Sequence, residues 1–454
     1  MQLDRSKRPV SSDEKEFNIP DSTENKLDNG LKYFHCIKND LPIVRLSLLV
    51  DSGSKFDPSE KKGLSNLLAM CIDEGAGKFN SLQLADEFEM LGAHFSVASD
   101  NDISIISIQV LKENFLSAIK LFKSIIIEPH LSEEDFNREK KKLAVKLKQL
   151  KIQPDYIAGV SFEYFLFGKD CQYAYPILGY EQSIENILHD DVVNFYKRMF
   201  SPLNSTMTVV GDIDSKSLED ILNSEFGDWN KTRGDNQLDI KLIPKTKKLL
   251  IVNKPDSVQT EIMIGQLSSK RNENDYYQKQ VINLVFGGQF SSRLNLNLRE
   301  KHGYTYGISS RFSYHKSAGY FYISTSVSKE NTYKALSEIL LELRNLKNGI
   351  SSKELEFAKS ALVKRFPSNF ETYRQISANI NSKVIYNLPD DYFETYIQKI
   401  NSLNLNAVNN IAESAIKEDE LVTVLVGDSN TIDEQVPEEE FGEKILIEFE
   451  DIFS

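Results

Sequence analysis

The chain has 454 residues, 40% of them hydrophobic, and a formal net charge of −13. That length suggests about two or three domains with ample apolar material for their cores, and the charge argues against nucleic acid or an anionic membrane as partner. No apolar run approaches the ~20 residues of a membrane span, and the charged start, Met1 to Pro9, has no apolar stretch behind it, so it does not read as a secretory signal.

Residues 1–24 are polar and read as an extended arm. Asp28-Asn29-Gly30 is a hairpin signal, and the alternation of Val44, Leu46, Leu48 and Val50 predicts a half-buried strand. Leu64, Leu67, Leu68, Cys71 and Ile72 recur at helical spacing and predict a helix over 59–73. A second helix is expected over 81–91, ended by Gly92, then a strand over 103–110 and a helix carrying Phe115, Ile119, Phe122 and Ile126. A lysine-rich helix over 132–151 stops before Pro154, and its basic run from Arg138 to Lys151 reads chiefly as a solvated face. A strand over 207–212 and a helix over 215–226 close this half. The three cysteines, Cys36, Cys71 and Cys171, are odd in number and far apart, as expected of reduced thiols in a cytoplasmic protein.

The second half repeats the first. Thr423 to Asp428 echoes Met207 to Asp212 at an offset of 216, and Ser328-Lys329-Glu330-Asn331 echoes Leu111-Lys112-Glu113-Asn114 at 217. Ser351 to Leu355 echoes Leu131 to Asp135 at nearly the same offset. Echoes in one order at one period indicate a tandem duplication. The fold class read from this is α+β, with two homologous domains, each a mainly antiparallel sheet with helices on one face. The expected boundaries are an arm over 1–24, a domain over 25–230, a linker over 231–248, a domain over 249–428 and an acidic, solvated tail over 429–454.

Between the repeats' landmarks lies Gly287-Gly288-Gln289-Phe290-Ser291-Ser292-Arg293-Leu294, continuing to Gly307. The glycine pair is expected to open a helix carrying Leu294, Leu298 and Arg299, which Gly303 stops, so that Tyr304 to Tyr306 begin a strand. Tyr304 is expected to pack in the core and His302 to be solvated. No Lys-Ser/Thr follows the glycines, which argues against a phosphate loop.

The domain order, the repeat and these motifs resemble the pitrilysin/insulinase-type zinc metallopeptidases, in the bacterial branch related to mitochondrial processing peptidase. Leu27-Asp28-Asn29-Gly30-Leu31, Gly53-Ser54, Gly63-Leu64, Gly179 and Val210-Gly211-Asp212 carry the resemblance over nearly the whole chain. It implies the processing-peptidase-like metallohydrolase fold. Catalytic members carry His-x-x-Glu-His after a Gly-Leu start; the histidines hold zinc, the glutamate activates a water, and a later glutamate completes the ligands. Here Asn66 and Met70 stand at the histidine positions and Ala69 at the glutamate. The later glutamate is matched by Lys146, whose ammonium group repels a cation. The six histidines offer no i, i+3 or i, i+4 pair for another site. No metal and no cofactor are therefore expected in this chain.

The resemblance also assigns an arginine and a tyrosine seven residues apart to substrate binding and oxyanion stabilisation, and Arg299 and Tyr306 have that spacing. A guanidinium offers a rigid fork of donors, and a phenol can donate to a developing oxyanion. Together these imply a non-catalytic subunit of a heterodimer, acting in trans at the zinc site of a homologous partner that carries the missing motif. The substrates implied are unfolded peptides held by strand addition to a sheet edge. The rival reading is a non-enzymatic scaffold or peptide-binding core subunit of a larger assembly.

Overall fold

The computed structural model describes residues 18–230, 238–243 and 246–453. Most of the expected arm (1–17) and parts of the expected linker (231–237 and 244–245) lie outside the described residues.

The first half forms β1 (Thr23–Lys26), β2 (Lys32–Ile37), β3 (Ile43–Val50), a small hairpin of β4 (Gly75–Ala76) and β5 (Phe79–Asn80), β6 (His94–Ser99), β7 (Ser104–Leu111) and β8 (Ser205–Gly211). The second half forms β9 (Lys248–Asn253), β10 (Gln259–Ser268), β11 (Ile308–Tyr314), β12 (Gly319–Ser328), β13 (Val422–Gly427) and β14 (Glu443–Glu448). Two six-stranded sheets result, in the orders β1-β2-β8-β3-β7-β6 and β14-β9-β13-β10-β12-β11. The duplication is visible strand by strand. Each sheet has a parallel pair at the same place, β2 with β8 and β9 with β13, and antiparallel neighbours on the side running to β6 or β11.

The echoed tetrapeptides do equivalent work. Lys112–Asn114 and Lys329–Asn331 are single 3-10 turns that follow β7 and β12 and lead into the helices Phe115–Ile127 and Thr332–Lys347. Ser132 and Ser351 each cap a helix, accepting from Asp135 N at 3.1 Å and Glu354 N at 3.3 Å. Such caps satisfy donors that the first turn leaves free.

Each half buries one sheet face under its own helices, as the periodicity predicts. The opposite faces are covered by an exchange of helices between the halves. Pro154–Phe167, from the first half, carries Ile157, Ala158, Phe162, Leu166 and Phe167 into a core with Leu250, Val252, Val422 and Val424 of the second sheet. A helix apolar around most of its girth is stable only when enclosed in this way. In return Tyr373–Tyr386 sets Tyr373, Ile376 and Ile380 against Phe34, Cys36 and Val210 of the first sheet. Polar bonds pin it there: Ser377 Oγ lies 3.3 Å from Ser47 Oγ, Thr208 Oγ1 donates to Asn381 Oδ1 at 2.8 Å, and Tyr373 Oη accepts from Leu41 N at 3.0 Å. A buried ionic knot adds to the seam, where Asp102 accepts from Lys55 Nζ at 3.1 Å, Tyr173 Oη at 2.7 Å and Lys316 N at 2.7 Å.

The expectation of a solvated tail over 429–454 is corrected. Ile432, Val436 and Phe441 are buried in the second core, and β14 pairs in parallel with β9, Ile445 opposite Leu250 and Ile447 opposite Val252. β14 occupies the position beside β9 that β1 holds beside β2 in the first sheet, but it pairs in parallel where β1 is antiparallel. Phe453 then stacks on Tyr180 of the first half at 4.8 Å between ring centroids. The glutamates at 438–440 sit between these apolar residues and do not keep them from burial.

Candidate functional site

The zinc-motif positions fall on the helix Leu64–Cys71. Leu64, Leu67, Leu68 and Cys71 are buried, which turns Asn66, Ala69 and Met70 to a half-buried face. Asp57, itself buried, holds the start of the helix, accepting from Gly63 N and Ser65 N at 2.9 Å each. Burial pushes the Asp57 carboxyl up to about 7 against the pull of those bonds. The scaffold is therefore well built, but its open face carries an amide, a methyl and a thioether. Asn66 Nδ2 donates to Met70 Sδ at 3.5 Å, so the two positions that would share a metal satisfy each other instead.

Lys146 stands exposed on the helix Glu133–Leu150, which packs against Leu64–Cys71. Glu139, a buried carboxylate on the same helix, is taken by Arg138 Nε at 3.1 Å and Lys142 Nζ at 2.7 Å. Zinc needs thiolate, imidazole or carboxylate donors in tetrahedral array, and this set does not fit it. Among the described residues no group of three or more His, Cys, Asp or Glu side chains is placed to hold a metal ion. Several histidines are tied elsewhere: His130 Nε2 lies 2.7 Å from Gly77 O and His189 Nε2 2.6 Å from Leu131 O.

The Arg/Tyr stretch is built differently from its expectation. The helix Tyr276–Phe286 ends at Gly287, where a Cβ would lie 2.7 Å from Ser310 N and 2.4 Å from Ser310 Oγ, so the glycine permits close passage of β11 and does not open the next helix. The chain resumes helical form near Arg293 and winds as a π-helix over Asn295–Lys301. Seven residues of π winding are rare, and such widened turns often sit at functional sites. Side-chain amides hold it: Asn295 Nδ2 donates to Ile308 O at 2.7 Å, and Asn297 Nδ2 donates to Glu338 Oε2 and Glu342 Oε1 at 2.8 Å each.

Gly303 (φ 64°) ends the winding in the left-handed region that glycine adopts without strain. The next strand begins at Ile308, not at Tyr304, which corrects the expected placement of Tyr306 on a strand. The reason is a tight turn: Thr305 Oγ1 accepts from Gly307 N at 3.1 Å and from Thr325 Oγ1 at 2.9 Å. Tyr304 packs half-buried against the second core, as expected. His302 is not solvated; its ring stacks on Tyr304 at 5.0 Å, and its Nε2 lies 3.7 Å from Glu338 Oε1.

Tyr306, held on both sides, projects with 95% of its surface exposed. Arg299 lies with its guanidinium 4.2 Å over the Phe290 ring, and its nearest carboxylate, Glu300 Oε1, is 3.6 Å from Nε. Arg293 shows the contrast. Its Nε and Nη2 bind both oxygens of Glu354 at 2.7 and 2.8 Å, and Nη2 also reaches Gly349 O at 3.1 Å. The Arg293 bonds, first among the causes, hold the Glu354 carboxyl down at about 2. The structure thus brings Asn66 and Met70 into contact and puts Arg299 and Tyr306 on either side of one turn, with no hydrogen bond between them among the described residues. Phe290, the platform under Arg299, was not singled out from sequence; its only signal was a large aromatic after Gly-Gly-Gln.

Comparisons with known proteins agree with this anatomy. Residues 36–159 match the family model described as Insulinase (Peptidase family M16), and residues 186–362 match that of the Peptidase M16 inactive domain. The chain is 25% identical to an "uncharacterized zinc protease" of Rickettsia felis, over 74% of this chain and 81% of that protein. It is 24% identical to the "non-peptidase homolog YmxG" of Helicobacter pylori, over 85% of this chain and 89% of the relative. A crystal structure of a peptidase M16 inactive domain from Pseudomonas fluorescens superposes with a TM-score of 0.84 at 25% identity, covering 90% of this chain and 98% of the other.

Proposed function

The chain belongs to the insulinase (M16) peptidase family as a non-catalytic member, and from that premise we propose that it is one subunit of a heterodimeric zinc peptidase, lending Arg299 and Tyr306 to the zinc site of a homologous partner. The observation that carries this reading is the difference between two arginines of one stretch. Arg293 is spent on a bidentate pair, whereas Arg299 is laid over Phe290 with a loose 3.6 Å contact from Nε to the neighbouring Glu300, and Tyr306 projects into solvent. A scaffold gains nothing from holding an unpartnered phenol on a braced turn.

Zinc in the partner supplies the Lewis acid. This chain supplies donors: the Arg299 fork binds the backbone of an extended peptide, and the Tyr306 phenol donates to the carbonyl oxygen as negative charge builds on it. The three cysteines are buried thiols, and a cytoplasmic address is part of the proposal. No helix among the described residues is long and apolar enough to cross a membrane.

The test is to purify the chain alone and together with a homologue bearing His-x-x-Glu-His, and to measure zinc content and peptide cleavage. Cleavage in the mixture, with zinc only in the partner and each chain inactive alone, is the expected result. A partner equally active by itself favours the scaffold reading.

A further inference from the structure

The face of the first sheet turned toward Tyr373–Tyr386 carries two rows of polar side chains. Register places Ser47 opposite Ser107 and Ser107 opposite Ser96; here Ser107 Oγ donates to Ser47 Oγ at 2.8 Å and Ser47 Oγ lies 3.3 Å from Ser377 Oγ, so this row is satisfied. The next row sets Arg45 opposite Gln109 and Gln109 opposite His94. It opens into a cavity of about 630 Å³, closed on the far side by Thr372, Tyr373 and Arg374 at the start of the exchanged helix.

Arg45 Nε is fully buried there without a hydrogen-bond partner. Neither Arg45 nor Arg374 forms an ion pair among the described residues, although the two are close enough that Arg374, after burial, lowers the Arg45 pKa. A buried donor left unpaired destabilises a fold, and native structures leave few of them. Two acidic groups also line the space. Asp40 is taken by Lys38, and Glu371 stands exposed. Thr372 and Gln375 already cap the helix reciprocally, which leaves Arg45 Nε as a buried unmet donor, with the exposed guanidinium of Arg374 at the same cavity.

β6 is the last strand on its side of the sheet, and His94, Ser96 and Ala98 face outward along it while Phe95 and Val97 turn toward the core. A peptide added to that edge sends every second side chain to the cavity's face. We propose that this cavity binds the carboxylate of an acidic side chain on an extended peptide paired along β6, with Arg45 and Arg374 as its guanidinium donors. Planar forks of this kind match a carboxylate in two-point contact. The inference rests on the chain's being a peptide-handling subunit but is independent of Arg299 and Tyr306. It adds a preference for acidic peptides, located on the sheet face and not on the solvated lysine run of Glu133–Leu150.

The test is fluorescence anisotropy on the full chain, with one labelled extended peptide bearing glutamates and its glutamine counterpart, each with and without inorganic phosphate. The glutamate peptide is expected to bind about tenfold tighter, the effect of one strong charge-assisted hydrogen bond. Arg374→Gln, an exposed substitution that leaves the fold intact, and Arg45→Gln should each erode that preference without weakening the glutamine peptide. Equal binding of the two peptides, or a preference that survives both substitutions, overturns the inference. Phosphate that occupies the arginines without displacing the peptide identifies a free anion as the ligand and also overturns it. Peptide indifference alongside Arg299-dependent cleavage in the heterodimer sinks this inference alone, whereas acidic preference with Arg299-independent cleavage sinks only the proposed function.

Discussion

Helix Leu64–Cys71 turns an amide, a methyl and a thioether to its open side, and the amide is bonded to the thioether. The turn beyond Lys301 presents a phenol that is 95% exposed and, before it, a guanidinium resting on an aromatic ring. Both elements are braced by buried side chains, Asp57 under the first and Asn295 and Asn297 under the second. The difference lies in what the bracing holds. In the first, packing has outlasted the metal chemistry. In the second, the bracing holds the backbone from which two side chains that contribute little to packing project.

Four measurements sharpen or break this contrast. The largest effect is expected in turnover by the proposed heterodimer: Arg299→Ala or Tyr306→Phe should lower kcat about 10²–10³-fold, the usual cost of one oxyanion donor, while Asn66→Ala and Met70→Ala should leave it unchanged. Next, zinc added to the wild-type chain should not raise its melting temperature. A variant with Asn66→His, Ala69→Glu, Met70→His and Lys146→Glu should gain about 2.7 kcal/mol at zinc a hundredfold above its Kd, as mass action requires. No gain would mean that the scaffold has decayed with the ligands.

Stability separates the two arginines. Arg293→Met should cost about 2 kcal/mol in urea unfolding, since it strands part-buried acceptors of a charge-assisted pair, whereas Arg299→Met should stay within about 0.5 kcal/mol. The smallest effect is in pH. Glu354 is held near 2 in the folded chain, below its ordinary value, so its contribution is complete above that ordinary value and is lost as pH falls toward 2. The stability gap between wild type and Arg293→Met should therefore close on acidification from pH ~5 toward ~2. A gap that persists would assign the loss to packing of the arginine stem.

Much of this anatomy is legible in the chain. The echoed segments predicted the duplication because each carries a local instruction, a strand end, a 3-10 turn or a serine cap, that the fold uses twice. Asn66, Ala69, Met70 and Lys146 can be read as lacking a zinc donor set because donor chemistry is a property of the residue itself. What stayed hidden depends on distant partners. β14 is a six-residue strand whose neighbour β9 lies nearly two hundred positions earlier, and acidic residues flank it, so local composition favours solvent. The exchange of Pro154–Phe167 for Tyr373–Tyr386 is likewise a tertiary choice. The π winding and the Thr305 turn arise from Asn295, Asn297 and Thr325 bonds that no periodicity encodes, which is why Tyr306 was expected on a strand and stands on a turn.

The central claim is that Tyr306 works at another chain's zinc. The most direct test places a photo-crosslinking phenylalanine analogue at position 306 of this chain, irradiates the complex with the zinc-bearing homologue and a bound, uncleavable peptide, and maps the products by mass spectrometry. The account predicts cross-links to the partner's His-x-x-Glu-His helix or to the peptide lying on it. Cross-links confined to this chain, in a complex that is cleaving peptide normally, would contradict it.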